Sequence, residues 1–128
     1  MTVRVILDTN FLMIPAQKKI DIFEEIKKIL NTPYQLYIFT GTIEELKKIS
    51  SGKGKESINA RVTLQLIKQK NLKTLKDSIG EIHVDKVILD NVNDSDIVCT
   101  QDKALKRLLK IKYPKIKIIT LNRKLIIT

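Results

Sequence analysis

Apolar and polar positions along this chain alternate between two periods, and the switches between them mark its elements. Val3, Val5, Ile6 and Leu7 form a β-branched run with no polar face, as a strand buried on both sides of a parallel sheet requires. The run stops at Asp8, and Asn10 follows. Phe11 to Ile14 is a short apolar segment ended by Pro15, which predicts one helical turn or an ordered loop. Asp21 and Glu24 make a capping-box pattern ahead of Phe23, Ile26, Ile29 and Leu30 at helical spacing, so a helix opens at Asp21 and closes at Asn31 and Pro33. Tyr34 to Phe39 is a second strand, and Thr40-Gly41-Thr42 turns the chain into a helix with Ile43, Leu46 and Ile49 on one face.

Ser50 to Lys55 reads as a flexible loop. A helix from Glu56 to Asn71 comes next, its stripe made by Ile58, Val62, Leu66 and Gln69 and its other face by Arg61, Lys68 and Lys70. Leu72 to Leu75 is a short strand, and Gly80 breaks the chain beyond it. Asp85 begins a short helix through Val87, Ile88, Leu89 and Val92, and Asn93-Asp94-Ser95 is a turn. Asp96 to Thr100 is a small buried strand. Asp102 starts a helix with Ala104, Leu105, Leu108 and Leu109 inward and Lys103, Lys106, Arg107, Lys110 and Lys112 outside. Pro114 ends it, Ile116 to Thr120 is a further strand and Leu125 to Ile127 an edge strand. Strands alternating with helices predict βαβ units and a mainly parallel sheet, an α/β class, with no repeat and no boundary inside residues 1–128.

Charge narrows the partners. Lys plus Arg number 24 against 14 Asp plus Glu, a net charge of +10 in 128 residues. Such an excess favours a polyanion, nucleic acid ahead of a membrane surface. The sole cysteine, Cys99, excludes an internal disulfide and a Cys-based zinc site, and inside an apolar strand it reads as a small hydrophobe. The single His83 cannot build a histidine metal cluster or a Ser-His or Cys-His pair. No Gly-rich phosphate loop is present, which argues against nucleotide cofactors. Arg4 and Asp8 interrupt the first apolar run, so no signal peptide fits, and no segment reaches the ~20 apolar residues of a membrane span. A cytoplasmic chain is the expectation.

Four acids stand at element junctions. Asp8 ends the first strand, Glu45 lies in the first turn after the second, Asp85 opens the short helix and Asp102 follows the strand D-I-V-C-T. In a parallel sheet such junctions lie along one edge, where ligands bind. Four carboxylates converging there repel unless a divalent cation sits among them, and hard oxygen donors without His or Cys clusters suit Mg²⁺ or Mn²⁺. Each acid also has a plainer explanation. Asp85 and Asp102 are good N-caps, worth ~1 kcal/mol each, and Glu45 completes a capping box with Thr42. Asp8 has the weakest structural excuse.

V-I-L-D-T-N-F-L followed by T-I-E-E-L-K-K-I resembles the opening of a PIN domain, a family of small metal-dependent ribonucleases. D-I-V-C-T-Q-D-K-A-L-K-R resembles that family's later signature, and the ordered match covers essentially the whole chain. The resemblance implies a three-layer α/β/α sandwich and an acidic pocket formed by Asp8, Glu45, Asp85 and Asp102. Asp8, Asp85 and Asp102 would ligate the metal, and Asn10 and Thr100 would support the pocket through hydrogen bonds. Two features depart from the pattern: Lys86 follows Asp85 where the family often pairs acids, and the link from Asp85 to D-I-V-C-T is short. Asp90 is therefore the alternative third ligand, and Glu44 competes with Glu45. The K-A-L-K-R-L-L-K helix and the ending I-T-L-N-R-K resemble the branch involved in small-subunit ribosomal RNA processing.

The expected chemistry is hydrolysis of an RNA phosphodiester by a metal-activated water. Lys53, Lys55, Arg61, Lys106, Arg107 and Lys110 are the candidates for gripping phosphates around the acids. A toxin-type ribonuclease paired with an antitoxin is the alternative, and a non-catalytic RNA-binding or assembly module, favoured by Lys86, is a further one. Dimerisation or a ribosome-processing protein would be further partners, although no residue pattern demands either.

Overall fold

The computed structural model describes residues 2–76 and 83–128. Gly80, expected to break the chain, lies outside them. The first strand, β1 (Val3–Leu7), ends where expected, and Asp8 caps a single helical turn, α1 (Thr9–Leu12). Pro15 does not terminate this region. It sits in the first turn of a second short helix, α2 (Ile14–Lys18), where its missing N–H costs nothing. Asp21 accepts from the Phe23 and Glu24 amides to start α3 (Ile22–Ile29), as its capping pattern predicts.

After β2 (Tyr34–Phe39), helix α4 (Thr40–Ser50) begins at once, without the Thr40-Gly41-Thr42 turn. It pairs with α5 (Lys55–Gln69) as a helical hairpin. The apolar stripe expected on α5 is not its buried face. Ile58 is 54% and Val62 39% exposed, Leu66 is half-buried and Gln69 exposed, whereas Ser57, Ala60, Thr63 and Ile67 are buried. The buried face of α5 is thus made mostly of small residues, and at its start the connection from α4 is tight: a Cβ on Gly52 would meet the Ser57 hydroxyl at 3.0 Å. Strand β3 (Lys73–Leu75) comes next, then α6 (Val84–Asn91), β4 (Ile97–Cys99) and α7 (Lys103–Lys112). On α7 only Leu105 and Leu109 are buried; Ala104 and Leu108, expected inward, are exposed. Strands β5 (Lys117–Asn122) and β6 (Lys124–Ile127) close the chain as a hairpin.

The six strands run in the order β3-β2-β1-β4-β5-β6, parallel except for β6. Alternation along each strand divides the interior into two cores, giving the α/β/α layering. Val5, Leu7, Ile97, Cys99 and Ile119 face the core packed by α1 to α5, while Ile6, Val98 and Ile118 face the core packed by α6 and α7. The chain builds leftward from β1 through β2 and β3, then jumps to β4 on the other flank. The order therefore reverses between β1 and β4, and crevices outside such a reversal bind ligands in open α/β sheets. Among the described residues no helix is long and apolar enough to cross a membrane.

Candidate active site

Asp8 ends β1 at that reversal. It is 3% exposed, its Oδ1 accepts from the Phe11 amide at 2.8 Å, and its Oδ2 accepts from the Thr100 hydroxyl. Burial pushes its pKa up to about 6; the bonds from Thr100 and Phe11 pull the other way, and the charges of Asp85 and Asp102 add to the rise. Asp8 therefore does cap a helix turn, but this excuse explains only one of its oxygens.

Thr100, fully buried, continues β4 and joins two acids. Its hydroxyl donates to Asp8 and accepts from the Asp102 amide at 3.1 Å. Asp102 caps α7 as the sequence predicts, accepting from the Leu105 amide at 3.0 Å. That bond, a hydrogen bond from Asp85, the Ala104 amide and the charge of Lys106 hold its carboxyl below the usual range. Asp85 is displaced the opposite way. Desolvation raises it first, then the hydrogen bond it shares with Asp102 and the charges of Asp102 and Glu45, with His83 opposing. The two carboxyls of the pair are thus pushed in opposite directions.

The plainer explanations of two acids fail. Helix α6 starts at Val84 with His83 as its cap, so Asp85 sits inside the first turn and caps nothing. Helix α4 starts at Thr40, so Thr42 lies within it, fully buried, its Oγ1 3.4 Å from the Thr9 hydroxyl; no capping box joins it to Glu45. Glu45 instead lines a cavity of about 170 Å³ together with Asp8, Thr9, Asn10, His83, Val84 and Asp85. Asp102 borders that cavity through Asp85 and Thr100 rather than lining it. Asn10 is exposed on its wall.

The competing acids lie elsewhere. Asp90 is an exposed partner of Lys112 at 3.3 Å, and Glu44 is 75% exposed with Lys47 at 4.0 Å. Lys86 is exposed and absent from the cavity wall. The expected phosphate-gripping residues divide into two groups. Lys53, Lys55 and Arg107 are exposed. Arg61 donates to the carbonyls of Ser50 and Gly52, fastening the α4–α5 hairpin, and Lys110 donates to those of Ile116 and Thr128. Lys106 donates to the Thr120 hydroxyl at 3.2 Å.

Beside the apolar Val84, two polar wall residues escape a reading of the sequence. His83 carries no periodic signal and reaches the cavity only because its extended backbone caps α6. Thr9 is legible only as the neighbour of Asp8. Among the described residues, no three Asp, Glu, His or Cys side chains converge tightly enough to hold an ion by themselves.

Comparison with known proteins agrees with this geometry. The family model described as "PIN like domain" matches residues 5–124. Ribonuclease VapC4 of Methanocaldococcus jannaschii is 35% identical over 111 residues, which cover 83% of this chain and 82% of that protein. Among solved structures, the PIN domain endonuclease Utp24 superposes with a TM-score of 0.80 at 29% identity, covering 97% of this chain and 90% of that one. VapBC2 from Rickettsia felis, solved bound to a DNA fragment from its promoter, matches with a TM-score of 0.60 at 15% identity, covering 94% and 100%, a likeness of fold.

Proposed function

The chain belongs to the PIN-like domain family, and from that membership we propose that it is a divalent-metal-dependent endoribonuclease whose acids are Asp8, Glu45, Asp85 and Asp102. Kinship at 35% identity to a ribonuclease supports RNA hydrolysis, and likeness to the endonuclease Utp24 supports a cut within the strand. The observation that carries the reading is Asp8: a buried carboxylate at the sheet's reversal point, with other acids beside it and, among the described residues, no Lys or Arg paired with it.

The donor set fits Mg²⁺ or Mn²⁺. Every acid offers hard oxygens, and Asp85 and Asp102 stand within hydrogen-bond reach of each other with the charge of Glu45 felt at Asp85. Asp8, Asp85 and Asp102 are the residues that would hold such an ion. When bound, the ion supplies Lewis acidity: it makes a water acidic near neutral pH and offsets phosphate charge.

The chain's own part is orientation. Thr100 fixes Asp8 and Asp102 relative to each other, and Asn10 stands on the wall where a phosphate enters. Glu45, on the wall made by α4, orients the attacking water. That water's oxygen bonds to phosphorus, the bond from phosphorus to one ribose oxygen breaks, and the released proton ends on the departing oxygen.

Ribosomal RNA processing is the first reading for the substrate, resting on the K-A-L-K-R-L-L-K helix and the I-T-L-N-R-K ending. One observation favours the toxin-type alternative. Pro15, Phe23, Ile58, Val62 and Leu66 line an open groove of about 500 Å³ between α2, α3 and α5, an apolar surface on which an antitoxin segment would lie. A second copy of the chain is the other occupant such a surface suits.

The test is incubation of purified protein with RNA, with and without Mg²⁺ or Mn²⁺. Cleavage that requires the ion and disappears in Asp8→Asn is expected. Cleavage that survives Asp8→Asn overturns the mechanism, and RNA binding without turnover in the unsubstituted chain moves it to the non-catalytic reading.

A further inference from the structure

We propose that the turn joining β5 to β6 is the phosphate-gripping wall on the Asp102 side of the site, with Arg123 as its RNA contact and Gln101 as the residue that positions it. The proposal rests on the ribonuclease reading and assigns residues that reading does not use.

The ladder between β4 and β5 pairs Cys99 with Ile119 and ends with the Thr100 amide donating to the Ile119 carbonyl at 3.1 Å. The main chain then leaves the sheet for α7, and the side chain of Gln101 takes its place. Its Nε2 donates to the Leu121 carbonyl at 2.9 Å, and its Oε1 accepts from the Leu121 amide at 2.6 Å. One side-chain amide thus satisfies both backbone groups of Leu121, as a paired strand residue would. Thr120 fastens the same corner. Its hydroxyl lies 2.7 Å from Gln101 Oε1 and 3.0 Å from the Thr100 carbonyl, and accepts from Lys106 Nζ at 3.2 Å. The end of β5 is therefore tied to Thr100, which bonds Asp8, and to Lys106, whose charge Asp102 feels.

Arg123 stands two residues beyond Leu121, roughly 7 Å of extended chain. It is the single residue between the paired Asn122 and Lys124, and its φ is 66°. That left-handed conformation suits Gly or Asn, so an arginine there is strained, and strain of this kind gathers where a side chain is needed. The other two left-handed residues have local explanations: Lys19 ends α2, and Asn71 belongs to a type that tolerates the region. Arg123 and Lys124 are exposed, and among the described residues neither is engaged in an ion pair.

An acidic cavity repels the strand it must cut. A guanidinium whose backbone is anchored to the strand next to β4 offsets that repulsion with a planar, bidentate donor, which a lysine does not supply. Arg61 and Lys110 are spent on backbone carbonyls and Lys106, whose charge Asp102 feels, is held by the Thr120 hydroxyl, which leaves the exposed Arg123 at the end of the clamped strand open to a phosphate.

The experiment measures binding of a labelled single-stranded oligoribonucleotide to the Asp8→Asn chain across a salt series, with Arg123→Gly and Gln101→Leu added singly and together. Arg123→Gly is expected to weaken binding about fivefold near 0.1 M salt and to lower the salt slope by about 0.7, the signature of one lost phosphate contact. Its melting temperature is expected to hold or rise, because Gly relieves the φ; a merely structural arginine would show the reverse pairing. Gln101→Leu is expected to weaken binding by a similar factor, with no further loss in the double variant. Gln101→Glu, which keeps the acceptor and removes the donor, serves where Gln101→Leu does not fold. In the active chain the Arg123→Gly effect falls on KM more than on kcat. Unchanged affinity and slope in Arg123→Gly overturn the proposal, and additive losses overturn the role of Gln101. If the unsubstituted chain neither binds nor cuts the oligoribonucleotide with Mg²⁺ or Mn²⁺, the ribonuclease reading falls and this one with it. If it cuts and Arg123→Gly keeps KM and slope, this one alone fails.

Discussion

Asp8 and Asp96 are the same side chain at the same burial, each 3% exposed, at opposite ends of the paired strands β1 and β4. Asp96, just before β4, is fully answered by its surroundings. Arg4 reaches it with Nε at 2.9 Å and Nη2 at 2.7 Å, stacked over the Tyr37 ring, and the Asn93 amide adds a bond at 3.0 Å. Asp8 has a hydroxyl and an amide but, among the described residues, no Lys or Arg partner, and further acids stand beside it. A buried carboxylate paired by Arg belongs to the fold. One left with its charge uncompensated is held by the fold for something that arrives later. The sheet's amino end is closed electrostatically and its carboxyl end is open.

The largest effects come from exchanging the two ends. Asp8→Asn is expected to lower ribonuclease turnover on the order of 10³-fold, since it removes the central oxygen donor. The same substitution is expected to raise the stability of metal-free protein at pH 7 by about 2 kcal/mol, because a neutral amide keeps partners for Phe11 and Thr100 without a buried charge. Asp96→Asn is expected to do the opposite: a loss of about 3 kcal/mol in denaturant unfolding, with turnover of the folded fraction kept, because it strands half-buried Arg4. A stability loss in both variants would erase the distinction.

Next in size is the pH response. In metal-free protein Asp8 keeps its proton up to about 6, against 3.8 ordinarily. Between those values the folded chain binds more protons than the unfolded one, so stability falls as pH rises through this window and stays lower above it. The total is about 3 kcal/mol, seen as the difference between unfolding curves of the unsubstituted chain and Asp8→Asn in chelator. Mg²⁺ or Mn²⁺ at about 100 times its dissociation constant is expected to restore about 2.7 kcal/mol to the unsubstituted chain and little to Asp8→Asn. An equal shift of both melting temperatures would place the ion elsewhere.

A smaller contrast separates the candidate third acids. Asp85→Asn is expected to lower turnover on the order of tenfold to a hundredfold, as it breaks the pair with Asp102. Asp90→Asn is expected to leave turnover within about twofold, because its carboxylate faces Lys112 on the surface. Steady-state rates on one RNA substrate decide between them.

Strand positions were legible in the sequence because β-branched runs bounded by turn residues have few other uses. Asp8 was legible for a related reason: a strand end has no ordinary need for an acid. Periodicity on α5 misled because it reports that Ile58, Val62 and Leu66 share a face, and is silent on what covers it. Burial went instead to Ser57, Ala60 and Thr63, small residues that periodicity of apolar positions does not register. Helix starts were displaced by three residues at α4 and two at α6, and those shifts decided the site. They removed the capping explanations of Glu45 and Asp85 and left both acids on the cavity wall.

Local chemistry alone therefore determined the α/β class, the basic surface and the four junction acids, each a matter of residues close in sequence. Tertiary structure decided which acids meet. Asp8 and Thr100 are joined only because β4 crosses back to lie beside β1, and Asp85 meets Asp102 only because α6 and α7 pack on the same face of the sheet. It also decided which cations are already engaged: Arg61 and Lys110 by backbone carbonyls, and Arg4 by the carboxylate of Asp96. Such pairings depend on the order in which strands enter the sheet, a long-range property that no window of sequence contains.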